Sequence, residues 1–210
     1  MTDAAVASSL PSRVGPDKRE AILAAALRLV ARLGLHNTPM SAVAREAGVA
    51  AGTLYLYFPS KEAMINALYL GVLADRDRSL TANVTADPPA SGRAALWPFW
   101  HGLARWYLDH PEESSFLEQC KSSAILTDQT RAAERGMNAS GLANFEQAVR
   151  SGYLRDMPLQ VFWSLVAGPV VLLAQMCAAR EIEITDAVLQ ATFDGVCRSV
   201  LPEPGARAPG

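Results

Sequence analysis

The sequence predicts an all-α chain of about nine helices, a small N-terminal helical domain followed by a larger helical one. Three observations carry this prediction. Apolar residues recur at three- and four-residue spacing along most of the chain. Strand signals are almost absent, with no alternating Val/Ile/Thr runs joined by Asn-Gly or Asp-Gly turns. Glycine, proline and short hydroxylated residues fall where helices of ordinary length would start and stop.

Residues 1–15 include MTDAAVASSLPS, which has neither a basic n-region nor a long apolar core, and are expected to form a disordered tail and not a signal peptide. Asp17 to Gly34 then places Ile22, Ala25, Ala26, Leu29, Val30 and Leu33 on one face, with Gly34 as C-cap. Thr38 before Pro39 has the form of an N-cap with proline at the first helical position. That helix is expected to run through MSAVAREA and stop at Gly48. A short helix reaches Phe58, and Ser60 has the form of the N-cap of a long helix, Lys61 to Leu80. A polar, proline-rich patch from Thr81 to Gly92 follows. Further helices are expected at Ser91–Asp109, Pro111–Lys121, Asp128–Ser151, Pro158–Arg180 and Asp186–Leu201. Pro98 either kinks the first of these or marks a later start. Residues 202–210 read as a second tail. The expected domains are a head at 16–62 and a body at 63–201.

The 210 residues are half hydrophobic, enough for a sizeable core. Charge is nearly balanced overall but divided along the chain. Arg13 to Glu62 holds seven Lys/Arg against four Asp/Glu, whereas from Ala63 onward there are twelve against sixteen. A basic head on an acidic body points to a polyanionic partner for the head. Three widely spaced cysteines, Cys120, Cys177 and Cys197, fit a reducing cytoplasm. Val161 to Ala179 carries no charge and has the length of a membrane span. Ser164, Gln175, the Gly168-Pro169 pair and the lack of a second such segment favour a buried or interface helix, so no membrane is expected.

The stretch GVAAGTLYLYFPSKE, Gly48 to Glu62, bears most on function. Ala44 is small where two helices would cross, Gly48 tolerates positive φ, and Val49 and Leu54 close a small core. By itself the pattern fits a helix-turn-helix or an ordinary αα-hairpin. The short helix keeps Leu54 and Phe58 inside and sets Ala51, Gly52, Thr53, Tyr55 and Tyr57 outside. Small residues there let a backbone approach a groove, and tyrosine, threonine and lysine suit phosphates.

Residues Lys18 to about Leu73 resemble the N-terminal domain of the TetR family of bacterial transcriptional regulators. The likeness rests on KREAILAAALRLVARLG, the A-x-x-x-GV from Ala44 to Val49, and GTLYLYFPSKEAM from Gly52 to Met64. The resemblance implies that Tyr55 faces the groove for base or backbone contact, and that Thr53, Tyr57 and Lys61 bind phosphates. It also sets Thr38 as a cap near the backbone. Ala50 stands where the family often has serine, and Pro39 where threonine or serine is common. Ala50 thus lacks a capping and phosphate-contacting hydroxyl, Pro39 cannot donate a bond, and Ala51 cannot hydrogen-bond a base edge. With Gly52 beside them, readout is expected to lean on thymine methyls and DNA shape.

In the body, Trp97, Phe99, Trp100, Trp106 and Tyr107 place five of fifteen aromatics within eleven residues. The stripe Leu96, Trp100, Leu103, Tyr107 is either core or one wall of an apolar pocket completed by Phe116, Cys120, Met137, Asn144 and Phe162. Arg105, Glu118 and His101 are candidate polar anchors. Ala187, Ala191, Gly195 and Ser199 form a small-residue stripe that, with Val166 and Val170 of the preceding helix, is expected to build a homodimer interface. A purely intramolecular bundle is the alternative. The three histidines lack metal-ligand spacing, and neither a phosphate-binding glycine loop nor a G-x-S-x-G elbow is present. No metal, cofactor or enzymatic activity is expected.

The expected function is a ligand-responsive repressor that binds a near-palindromic double-stranded DNA operator as a homodimer, released by a small hydrophobic effector. A constitutive DNA-binding protein without effector, or a helical small-molecule-binding protein or enzyme, is the alternative.

Overall fold

The computed structural model describes residues 16–81 and 92–202. The expected tail at 1–15 and nearly all of the second tail and of the proline-rich patch lie outside these residues. Among the described residues there are ten α-helices and no strand: α1 (Pro16–Leu33), α2 (Met40–Glu46), α3 (Ala51–Tyr57), α4 (Lys61–Thr81), α5 (Gly92–Asp109), α6 (Pro111–Lys121), α7 (Asp128–Met137), α8 (Ala139–Arg150), α9 (Leu159–Ala178) and α10 (Asp186–Val200). The chain divides into two compact units, one ending at Ile65 and the other beginning at Asn66, within α4.

In the first unit α1 packs on α2, and α2 on α3. The apolar stripe of α1 supplies Ile22, Ala25, Ala26, Leu29 and Val30 to a core that Val43, Ala44, Leu54 and Phe58 complete, while Leu33 at the helix end is exposed. The glycines act as the sequence requires. Gly34 adopts φ 84° and donates its N–H to Val30 O at 2.9 Å, ending α1. Gly48 adopts φ 65° and turns the chain from α2 into α3. Ser60 Oγ accepts from the Ala63 N–H at 3.0 Å, the capping bond expected for α4.

Thr38 departs from expectation. The N-cap of α2 is Pro39, whose carbonyl accepts the Val43 N–H at 3.2 Å. Thr38 itself is fully buried and donates its hydroxyl to Gly34 O at 2.9 Å, satisfying a carbonyl at the end of α1. Its side chain binds the fold together and does not reach a surface.

In the second unit α9 is central, packing on α5, α6 and α10, with α5 also against α6 and α10. Trp100 of α5 donates its indole N–H to Val166 O at 3.2 Å, fixing that crossing. Asn66 bridges to the α6–α7 connection, donating to Ile125 O at 2.9 Å and accepting the Thr127 N–H at 3.0 Å. Pro98 and Pro169 both lie inside helices, so α5 begins well before Pro98 and runs through it. The expected single helix at 128–151 is two, because Asn138 at φ −82°, ψ −1° flattens the backbone between α7 and α8. Gly136 and Asn138, both poor helix formers, supply the weak point. This raises the count from nine to ten.

Candidate nucleic-acid interface and effector cavity

α3 takes its orientation from two inward anchors. Leu54 is fully buried, and Phe58, at the C-cap, packs under Arg19, whose guanidinium carbon lies 5.5 Å from the ring centroid. With that side fixed, Ala51 and Gly52 are exposed, Tyr55 is 52% exposed, and Thr53 and Tyr57 are half-buried. Ala50 is the exposed N-cap residue and, lacking a hydroxyl, makes no side-chain capping bond. A Cβ placed on Gly52 would meet nothing within 4 Å, so the protein's own packing does not demand glycine there.

Lys61 opens α4 and donates its ammonium to His36 O at 3.1 Å, in the connection between α1 and α2. An ammonium has three protons, so two remain for other acceptors. Burial draws this amine below its ordinary pKa. The Arg28–Glu46 ion pair, 3.3 Å and partly exposed, ties α1 to α2. Of the residues expected at this surface, Ala50, Ala51, Gly52 and Tyr55 are outward, Thr53, Tyr57 and Lys61 are partly so, and Thr38 is excluded by burial.

Within the second unit a cavity of about 570 Å³ opens between α4, α5, α6, α7 and α9. Leu103 and Tyr107 line it, together with Ala167 and Val171. The other residues expected in a pocket do not line it. Trp100, Phe116, Cys120 and Phe162 are buried in the core, and Met137 and Asn144 sit elsewhere on α7 and α8. What the sequence did not reveal is the charge at its edge: Arg76, Glu118, Lys121 and Glu134 all contribute. Of these only Glu118 had been a candidate. Glu134 accepts a hydrogen bond from the buried Tyr69 hydroxyl at 3.0 Å, and Arg76 pairs with Asp77 at 2.9 Å. Burial and the Glu134 carboxylate both raise the Tyr69 phenol. Arg105 pairs instead with Asp109, and His101 stacks on Trp97 with ring centroids 5.0 Å apart.

Burial pushes the Cys120 thiol up to about 12, which keeps it protonated and unreactive at neutral pH, whereas Cys177 is exposed. Among the described residues no group of three or more His, Cys, Asp or Glu stands close enough to hold a metal ion.

The interface expected from α9 needs correction. Val166 and Val170 are buried against the rest of the second unit, along with Phe162 and Ala174, at every fourth residue of α9. α9 is 20 residues long, and an 18-residue window of it has a mean hydropathy of 1.9. Its exposed side chains include Val161 at 43% and Leu172, which also lines the cavity, at 56%. On α10, Ala187 and Ala191 are exposed, whereas Gly195 and Ser199 are half-buried.

Comparison with known proteins matches both units. A model of the tetR family of bacterial regulatory proteins matches residues 22–68. An HTH-type transcriptional regulator of Haemophilus influenzae is 24% identical over 184 residues, covering 88% of this chain and 96% of that protein. The HTH-type regulator RutR of Escherichia coli K12 is 45% identical over 62 residues, 30% of this chain and 27% of RutR. The crystal structure of a TetR family transcription regulator from Marinobacter aquaeolei VT8 superposes with a TM-score of 0.79 at 27% identity, over 88% of this chain and 95% of that one.

Proposed function

Since this chain belongs to the TetR family of bacterial regulatory proteins, and so is a transcriptional regulator and not an enzyme, we propose that it represses transcription as a cytoplasmic homodimer. It binds a near-palindromic duplex operator and is released by a small effector. One observation supports the DNA contacts above the rest: α3 holds Leu54 inward and turns Ala51, Gly52 and Tyr55 out of a unit whose core is otherwise closed. Tyr55 contacts a base or the backbone, and Thr53, Tyr57 and Lys61 contact phosphates. Ala50, Ala51 and Gly52 admit the groove wall closely.

The cavity supports an effector of mixed character, with an apolar body against Leu103, Tyr107 and Val171 and a polar end toward Arg76, Lys121, Glu118 and Glu134. This reading gives a polar end to the small hydrophobic effector expected from the aromatic cluster. Arg76 belongs to α4, the helix that starts beside the DNA-contacting residues, so a ligand at the cavity bears on that helix directly. A hundredfold loss of operator affinity requires about 2.7 kcal/mol of differential ligand affinity between two states. For the dimer, the outward side of α9 with Val161 and Leu172, and Ala187 and Ala191 of α10, are the available surfaces.

Selection of duplexes from a random library tests this reading, with Tyr55→Ala/Lys61→Ala as control. The expected result is a two-fold symmetric motif that the double variant fails to enrich. Folded wild-type chain with no salt-sensitive duplex binding overturns it. A compound that stabilises the chain saturably and weakens operator binding separates the ligand-responsive from the constitutive regulator.

A further inference from the structure

The outermost line of α3 includes a residue that the sequence pattern left unassigned. Leu54 is fully buried and fixes the inward direction. At 3.6 residues per turn, the positions two before and two after it lie about 160° away, on the opposite side. These are Gly52 and Leu56. Leu56 is 75% exposed, more than any other large hydrophobic side chain among the described residues. A lone exposed leucine is ordinary. This one adjoins Tyr55, itself 52% exposed, and follows one turn after a glycine around which a Cβ would find open space. The pole of α3 farthest from the core is therefore a bare stretch of backbone followed by an unburied apolar side chain.

Resting on the DNA-binding reading above, we infer that Leu56 is a specificity-determining residue that packs on the 5-methyl group of a pyrimidine in the major groove, in ordinary DNA a thymine. A leucine side chain can neither donate nor accept a hydrogen bond. Laid on the polar edge of guanine, adenine or cytosine, it strips water from that edge and returns nothing. The thymine methyl is the one apolar group the major groove presents, so it is the one base feature whose burial against Leu56 is favourable. Ala51 and Gly52, on the preceding turn, add no side-chain donor or acceptor to compete with that contact. The small residues let the helix seat, and Leu56 gives the seated helix a preference.

The experiment uses the full chain and the duplex motif that wild type enriches from a random library. Each thymine of one half-site is replaced singly by deoxyuridine, which removes only the methyl, and affinities are measured for wild type, Leu56→Ala and Leu56→Met. At one thymine, deoxyuridine is expected to weaken wild type about fourfold, the equivalent of one methyl group returned to water. The same replacement is expected to leave Leu56→Ala unchanged and to weaken Leu56→Met as it does wild type. Placing 5-methylcytosine at that position, with guanine opposite, is expected to recover part of the loss relative to cytosine in wild type and Leu56→Met, and none in Leu56→Ala. The inference is overturned if every deoxyuridine affects wild type and Leu56→Ala equally, or if the enriched half-site contains no thymine. Failure of folded wild type to enrich any duplex overturns the DNA-binding reading itself, a distinct result. Leu56 is exposed, so thermal unfolding of the variants is expected to match wild type.

Discussion

Thr38 sits at the junction of α1 and α2 with its hydroxyl committed to the Gly34 carbonyl, and a valine in its place would keep the shape while stranding that carbonyl. Thr38→Val is therefore expected to destabilise the first unit by about 1–2 kcal/mol, read by chemical unfolding. The salt dependence of DNA binding by the folded variant is expected to match wild type, since the side chain is buried and faces no phosphate. Lys61 behaves in the opposite way. Lys61→Ala is expected to weaken binding to all duplexes alike and to flatten the slope of log affinity against log salt by about one per subunit. A variant that binds normally at several salt concentrations would show that Lys61 serves only the His36 carbonyl. The amine also carries a pH signature. Burial lowers its pKa in the free protein, and a phosphate beside it raises the pKa again. Binding then takes up a proton at alkaline pH, so affinity is expected to fall as pH rises through the range where the free amine deprotonates. Lys61→Arg, which stays charged, is expected to lose that dependence.

Helix ends were legible because their chemistry is local. Gly34, Gly48 and Ser60 each announce a boundary through a conformation or a bond that needs only a few neighbouring residues. Arg180 shows the same conformation without the residue that suits it. It adopts φ 61° just beyond the C-cap of α9, where Glu181 N–H reaches back to Met176 O at 2.9 Å. Arg180→Gly is expected to stabilise the chain by about 0.5–1 kcal/mol, and Gly48→Ala, at φ 65° with open space around the new Cβ, to destabilise it by a similar amount. Opposite shifts in thermal midpoint check the pair. The break at Asn138 was not legible because the backbone on both sides stays helical and no proline or positive φ marks it. Leu56 escaped for another reason: with Leu54 and Phe58 already marking the inner side, an apolar side chain between two tyrosines carries no hydrogen-bonding chemistry that would assign it a partner.

At the scale of the whole molecule, what patterning could not supply was phase. α9 is apolar around nearly its entire circumference, so no periodicity distinguishes the side that meets α5 from the side left outside. Val166 and Val170 were expected outside for that reason and are inside, while Leu172 is out. The cavity was equally hidden, since Arg76, Glu118 and Glu134 come from three separated segments brought together only by packing. The outer surface of α9 now carries a definite expectation. A single recognition helix offers too few contacts for a specific site, whereas two-fold symmetry sets two of them about 34 Å apart in successive major grooves. If the outward side of α9 forms the two-fold contact, a charge at its most exposed leucine is juxtaposed with its own symmetry mate or with apolar surface, and both are unfavourable. Leu172→Glu is therefore expected to shift the chain from dimer to monomer in light scattering. It is also expected to turn binding of a full palindrome into the weaker binding of a half-site, without changing the unfolding of the first unit. A variant that remains dimeric and binds the palindrome as wild type does would move the interface away from α9, to α10 or beyond.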